Sequence, residues 1–359
     1  MKKIITIDPV TRVSGFLEIT AETENNIVTN AKTSGLLFRG FEKMLKGRSP
    51  LDAVYFTERI CGICSTSHAA ASSLALEDAL RIPVNINDLY IRDIMHGFEF
   101  LQNHLRQFYF FTMPDYAKLP NVSPISPEQY SDYRLPEHLN KDIENNYIKN
   151  IEISRLAHEG LAVLGGKAPH NHGIFPGGVT VNIDAYKLEK VKSIISKIKE
   201  FVNNFMIQDM ETISKYYEDY FHKGESYSNY MSFGLFNDYT DPEISYLKPS
   251  VLIHGKKQPF EMNKITENIL YSWYISDKSA KSPGDEAVEE VDLNKENAYT
   301  FIKAPRYNGL PMEGGPLARL MITGEYTKGG SCMDRNAARV LETKKIIGIM
   351  EKLTERVEL

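Results

Sequence analysis

The chain has 359 residues, 42% hydrophobic and 25% charged, with a formal net charge of −5 and three cysteines. This is the balance of a soluble globular protein with one large core or a few smaller ones, and so few cysteines exclude a disulfide scaffold. Lysines and arginines interleaved with acids exclude a nucleic-acid surface, no run approaches the about 18 apolar residues of a membrane span, and the short apolar run after Lys2-Lys3 is no signal peptide.

Ile5-Thr6-Ile7, Phe16 to Ala21 and Ile27-Val28-Thr29 read as strands, with Asn25-Asn26 as a hairpin turn because asparagine tolerates positive φ. Asp52 to Phe56 enters a short helix. Ser65 to Leu80, rich in alanine, serine and leucine, forms another; if Cys64 opens it, His68 lies on the same side. From Asp88, a candidate N-cap, to Phe111, the residues Ile91, Ile94, Phe98, Leu101, Leu105 and Phe108 recur at spacings of three and four. Pro114 to Pro136 contains five prolines and cannot be one helix. Asn140 to Leu164 is helical and stops at Gly165-Gly166, and Leu188 to Tyr220 is helical on Leu188, Val191, Ile195, Ile198, Val202 and Phe205. Ser276 to Asn297 is polar and reads as an exposed loop. The last helix, Ser331 to Glu358, carries Ala338, Leu341, Ile346, Ile347 and Met350 and, placed at the end of the chain, is expected to lack the element it packs on. Four long amphipathic segments predict a helical bundle as the main body.

Chemistry concentrates in Arg59-Ile60-Cys61-Gly62-Ile63-Cys64-Ser65-Thr66-Ser67-His68. Two thiols three positions apart and an imidazole four further on are soft ligands suited to zinc, copper(I), iron–sulfur or nickel and iron. A structural zinc needs four closed ligands and the local offer is three. A c-type haem needs histidine where Ser65 stands, and a redox dithiol belongs in a βαβ setting that the helical downstream sequence does not resemble. The residues by themselves leave zinc, redox and mixed-metal readings open. Cys332 has no Cys or His neighbour and reads as a buried structural thiol. His96 and His104 read as packing or partner contacts, Phe108 to Phe111 as core, and His158, His170 and His172 carry no assigned role.

The ordered surroundings of that motif are more specific. Asp8-Pro9-Val10-Thr11-Arg12-Val13-Ser14-Gly15, Arg39-Gly40-Phe41-Glu42, the Arg-x-Cys-Gly-x-Cys-x-x-x-His element, Gly165 to His170, Pro176 to Thr180, Ala304 to Tyr307 and Glu313 to Arg319 follow one another. In this order the chain resembles the large subunit of nickel–iron hydrogenases over nearly its whole length.

The resemblance implies an α+β fold, mainly α, with a central long-helix bundle and a small N-terminal antiparallel sheet. It implies one domain: strands and the Arg-Gly-x-Glu element over 1–50, a helical core with the cysteines over 51–235, an irregular region over 236–330 and the terminal helix over 331–359. The implied activity is reversible heterolytic cleavage of dihydrogen at a nickel–iron centre. Cys61 would be a terminal nickel thiolate and Cys64 would bridge nickel and iron. His68 would hydrogen-bond that sulfur, Asp115 would stand over the metals, and Glu42 would ligate magnesium. Carbon monoxide and cyanide on iron, an iron–sulfur small subunit and maturation proteins also follow from the resemblance; the compartment is left open, cytoplasmic or exported and membrane-associated through the small subunit, and the lack of a long apolar run argues against direct membrane insertion.

Two departures accompany it. Val13-Ser14-Gly15-Phe16 stands where the family has Ile-Glu-Gly-His, so Ser14 replaces the proton-relay glutamate. The family's C-terminal Cys-x-x-Cys element is not among these residues, so the chain is expected to correspond to the first three quarters of such a subunit and, as given, to lack half the metal ligands and be inactive. A non-catalytic partner or sensing subunit, or a zinc module using Cys61, Cys64 and His68, is the alternative.

Overall fold

The computed structural model describes residues 1–120, 132–276, 279–285 and 290–359. The chain begins with strands β1 (Lys2–Ile7), β2 (Leu17–Glu24) and β3 (Ile27–Gly35), paired antiparallel in that order. Asn25 and Asn26, at φ 53 and 62, make the turn between β2 and β3. Short helices α1 (Phe41–Leu45) and α2 (Asp52–Glu58) precede α3 (Ser65–Leu80) and α4 (Ile86–Arg106). The N-cap of α4 is Asn85 rather than Asp88: its backbone is extended and its side chain accepts from the Asn87 N–H at 2.8 Å, leaving Asp88 in the first turn.

Helix α4 then widens into a π turn at Gln107–Thr112 and tightens into a 3-10 turn at Met113–Asp115. Most of the proline-rich stretch that follows, 121–131, lies outside the described residues. Helix α5 (Glu137–Gly165) starts directly after Pro136, which cannot continue a helix backwards but suits its entry, and stops at Gly166 with φ 77. Two short strands, β4 (Ile174–Phe175) and β5 (Gly178–Val179), lead to α6 (Ala185–Phe201), capped by Asp184. The predicted helix to Tyr220 is interrupted by a second π turn, Val202–Met206, before α7 (Ile207–Tyr216).

Strand β6 (Tyr230–Ser232) falls at the end of the stretch expected to be helical, and the region expected to be irregular, 236–330, carries β7 (Ser250–Ile253), β8 (Lys256–Pro259), β9 (Ile265–Asn268), β10 (Ala280–Lys281), β11 (Ala304–Tyr307) and helix α8 (Pro316–Thr323). Part of the stretch read as an exposed loop is therefore strand: β10 pairs with β9 through Ala280 opposite Asn268. These strands are two to four residues long, too short for a periodicity to announce them, and β6 and β11 pair with β7 and β9 across intervening chain. The last helix, α9 (Cys332–Arg356), opens with a capping box in which Ser331 and Asp334 bond each other's backbone N–H.

Two compact units form. One joins residues 1–46 to 261–312; the other joins 47–260 to 313–359. Within the second, α4 packs against α5 and α9, and α6 packs against α5 and α9, which makes the helical bundle. Phe98, Leu101 and Leu105 of α4 are fully buried, with Ala157 and Leu161 of α5, Ile195 and Ile198 of α6. Ile346, Ile347, Met350 and Leu353 of α9 join them. The expectation that α9 lacks a packing partner is thus corrected: its apolar face closes the bundle, each such side chain contributing roughly 1.5–3 kcal/mol by burial. Gly160 permits the closest α4–α5 approach, because a Cβ there would overlap the Phe98 ring.

Three bundle elements meet at Asp209, which accepts from Tyr109 Oη at 2.7 Å and from Asn146 Nδ2 at 3.1 Å. Burial pushes its carboxyl from 3.8 up to about 6, against the hydrogen bonds from Tyr109 and Asn146. The folded state therefore holds this proton more tightly than the unfolded state. The stabilisation is full below the ordinary value and is lost as pH rises through about 6. Denaturant titrations from about pH 4 to 7 should show the wild type losing up to ~3 kcal/mol more than Asp209→Asn over that window.

Candidate functional site

The cysteine motif lies in the second unit, on the turn between α2 and α3. Thr57 ties the two helices together, its hydroxyl donating to the Val54 carbonyl at 3.2 Å and lying 3.2 Å from Ser72 Oγ. Cys64 occupies the N-cap position of α3, and its carbonyl accepts the first helical bond, from the His68 N–H at 3.2 Å. Cys64 and His68 are thereby brought together through the backbone, as the four-residue spacing predicts. Among the described residues the His68 ring makes no hydrogen bond to the Cys64 sulfur; the ring is half-buried and burial lowers its pKa.

A helix start leaves N–H groups without intrahelical partners. Here a residue from another helix supplies them. Glu99, on the buried side of α4, accepts from the backbone N–H of Thr66 at 2.6 Å and of Ser67 at 2.8 Å, and from Ser67 Oγ at 2.6 Å. Ser67 Oγ also lies 3.0 Å from Nε2 of the buried His96. From the other side, Ser65 Oγ accepts from the His170 N–H at 2.9 Å and Asn171 donates to Thr66 Oγ1 at 3.0 Å. Asn103 Nδ2 donates to the carbonyl of Ile63, between the cysteines, at 3.0 Å. The cysteine turn is thus fixed by α4 and by the loop after α5.

Glu99 was not singled out from sequence, although a carboxylate set within the apolar stripe of a long helix is a readable sign of a buried polar role. Glu99→Ala should leave two amides unpaired in the interior and cost about 2–4 kcal/mol. Hydrogen exchange at Thr66 and Ser67 should accelerate with it, whereas Glu99→Gln should recover part of both effects.

Electrostatically the site is poised for a cation. Burial, then the Cys61 thiol beside it, then the Glu99 carboxylate push the Cys64 thiol up to about 12. Such a thiol holds its proton at neutral pH and is no activated nucleophile; a metal ion binding there displaces the proton. Two further groups stand near with unused capacity. His170 Nδ1 and Glu58 Oε1 are buried and have no hydrogen-bond partner. Glu58 pairs with Arg59 at 2.8 Å, and burial, opposed by Arg59, pushes its carboxyl to about 7. The two soft sulfurs and these open polar atoms fit part of a nickel–iron donor set. Among the described residues no cluster of three or more His, Cys, Asp or Glu side chains forms.

Asp115 lies half-buried in the 3-10 turn after α4, and among the described residues no hydrogen bond or ion pair links it to Cys61, Cys64 or His68. Glu42 belongs to the first unit, in the first turn of α1, where Oε1 accepts from Lys303 Nζ at 2.6 Å. Its oxygens suit magnesium by hardness, but the cation they meet is the Lys303 ammonium, itself 4.9 Å from the Tyr274 ring centroid. Ser14 lies on an exposed bend of that unit. Cys332 is half-buried and its thiol donates to the Tyr220 carbonyl at 3.4 Å. His104 Nε2 donates to Glu342 Oε2 at 2.9 Å. No described helix is long and apolar enough to cross a membrane.

Comparison with known proteins places this geometry in context. A family model described as nickel-dependent hydrogenase matches residues 39–132 and 121–347. The chain is 36% identical over 329 residues to the periplasmic [NiFeSe] hydrogenase large subunit of Desulfomicrobium baculatum, covering 89% of this chain and 64% of that one. It is 28% identical over 388 residues to the hydrogenase-2 large chain of Escherichia coli K12, covering 90% and 68%. The chain therefore spans about two thirds of the length of these relatives. Among solved structures, the Ni-Fe-Se hydrogenase from D. vulgaris Hildenborough in the reduced state superposes with a TM-score of 0.94 at 32% identity, covering all of this chain and 80% of that one.

Proposed function

We propose, from the premise that the chain belongs to the nickel-dependent hydrogenase family, that it contributes the thiolates of Cys61 and Cys64 to a nickel–iron centre for reversible heterolytic cleavage of dihydrogen. The observation that carries this reading is the cysteine turn itself: two soft donors on one rigid turn, held by Glu99, Asn103 and the loop at His170. In the reading that the resemblance supports, Cys61 would be the terminal nickel ligand and Cys64 would be shared between nickel and iron. Such a centre supplies a Lewis acid able to polarise dihydrogen, with carbon monoxide and cyanide completing the iron.

The chain's own residues then hold and move protons. Cys61 or Cys64, held as a thiolate by such a centre, would be the base able to take a proton at sulfur. His68, one turn along α3, tunes the charge on Cys64. Asp115 and Glu42 are the carboxylates assigned to the metal surroundings and to magnesium. Ser14, in place of the family's glutamate, has no acid–base group of suitable pKa, but its hydroxyl could pass a proton through water. Electrons leave through an iron–sulfur partner subunit, and maturation proteins load the centre.

The test is to purify the protein anaerobically with its partner and measure metal content and hydrogen-dependent reduction of a viologen dye. Near-equimolar nickel and iron with dye reduction support the reading. Stoichiometric zinc without nickel or iron, or nickel-loaded protein inert to hydrogen, would overturn it.

A further inference from the structure

Where α4 enters its π turn, a cavity of about 190 Å³ opens beside the cysteine turn, lined in part by Ile63, Asn103, His104, Arg106, Gln107 and Arg339. None of its lining residues is acidic. The charges around it do not balance. Arg319 Nε and Nη2 donate to the two oxygens of Glu342 at 2.6 and 2.7 Å, and His104 takes the remaining approach to Oε2 at 2.9 Å. Glu342 is thus saturated. Arg339, one turn before it on α9, forms no hydrogen bond or ion pair with any described side chain. Among the described residues Arg106 meets only a neutral group, the Gln102 amide, whose oxygen accepts from Nη1 at 2.7 Å and from Nε at 2.8 Å when the amide is turned to face it. Three guanidiniums therefore share one carboxylate, and two of them line one cavity.

Half-buried arginines without a counter-charge are costly, and the guanidinium fork matches the oxygens of a carboxylate or phosphate two at a time. Burial lowers the pKa of both Arg106 and Arg339, which shows that water does not fully solvate either. A single water needs roughly 10–15 Å³ of such space, so the cavity admits a small oxyanion together with some of its water.

We propose that this cavity is an oxyanion-binding site in which Arg106 and Arg339 clamp a phosphate or carboxylate group. The site does not depend on the nickel–iron reading. Two sources could supply the same chemistry: a free oxyanion, or the carboxylate side chain of a partner polypeptide reaching in beside Ile63.

The test uses the full chain at constant ionic strength, with inorganic phosphate as the probe and chloride as the control. A saturable, phosphate-specific rise in the unfolding midpoint supports the site, provided that Arg339→Gln and Arg106→Gln each weaken it about tenfold or more. The measurement is then repeated with the partner subunit bound. A phosphate response that disappears in the complex, with a complex weakened by Arg339→Gln, assigns the cavity to a carboxylate of the partner. A response that persists assigns it to a free oxyanion. The proposal is overturned by a phosphate response that Arg339→Gln leaves intact. It is equally overturned by the absence of any phosphate-specific response together with unchanged partner affinity in the variant. If Arg339→Gln does not fold, Arg106→Gln and Arg339→Lys, which keeps the charge but loses the fork, decide the same comparison.

Discussion

Glu342→Ala should destabilise the helical unit by about 3–5 kcal/mol, among the largest losses any single substitution outside the cysteine turn can cause. The side chain is fully buried on α9 and receives Arg319 twice, His104 once and Tyr246 Oη at 2.8 Å. Burial by itself pushes this carboxyl up, but the Arg319 guanidinium and then His104 outweigh it and hold it well below the ordinary carboxylate range. Alanine removes the one negative charge and strands a guanidinium that is itself only 14% exposed. The loss therefore combines an unpaired buried charge with two unsatisfied hydrogen-bonding groups.

Because the folded pKa is depressed, the stabilisation is present above the unfolded value and is lost as pH falls through the folded one. Urea unfolding of the full chain near neutral pH measures the difference. Glu342→Gln should fall between the two, since it keeps hydrogen bonds to Arg319 but not the charge. The exposed pair of Lys352 and Glu355, 3.0 Å apart, provides the contrast: Glu355→Ala should change stability by less than about 0.5 kcal/mol. A comparable cost at both positions would remove the distinction on which the argument rests.

That ion pair also marks the boundary of what the sequence discloses. Helix α9 is legible from Ala338, Ile346, Ile347 and Met350, because apolar spacing of three and four is a local property. The Asn25-Asn26 turn and the stop at Gly165-Gly166 are legible for the same reason: each depends on the backbone freedom of the residue concerned. The partners of Glu342 are not. They come from α4, α8 and the stretch before β7, and nothing local couples His104 to a residue 238 positions later. The two π turns are likewise silent, since the apolar residues at each, Leu105 and Phe108 or Val202 and Phe205, still stand three apart in the sequence.

The candidate site shows the same division. Cys61, Cys64 and His68 declare themselves by type and spacing, and the backbone bond from His68 to Cys64 follows from their separation along α3. Glu99, which holds the start of that helix, is contributed across the bundle. The cationic cavity of Arg106 and Arg339 appears only when the charges of α4, α8 and α9 are counted together.

If Cys61 is terminal and Cys64 bridges, their serine variants should fail in different ways. A serine oxygen is harder than sulfur and surrenders its proton far less readily, so either variant should reduce hydrogen-dependent dye reduction to below about 1% of wild type. Metal content separates them. Cys64→Ser removes a ligand shared by both metals and should deplete nickel and iron together. Cys61→Ser should deplete nickel first and leave iron in excess over it.

The fold should tolerate both changes, because the turn is held by Glu99, Asn103, Ser65 and Thr66 rather than by the thiols, and near-wild-type unfolding midpoints would establish that. Cys332→Ser is the control. Its sulfur only donates to the Tyr220 carbonyl on a separate part of the unit, so metal content and activity should stay as in the wild type. Equal loss of both metals in Cys61→Ser and Cys64→Ser would leave the pair as ligands but withdraw the bridging assignment. Full retention of nickel in both would withdraw the site.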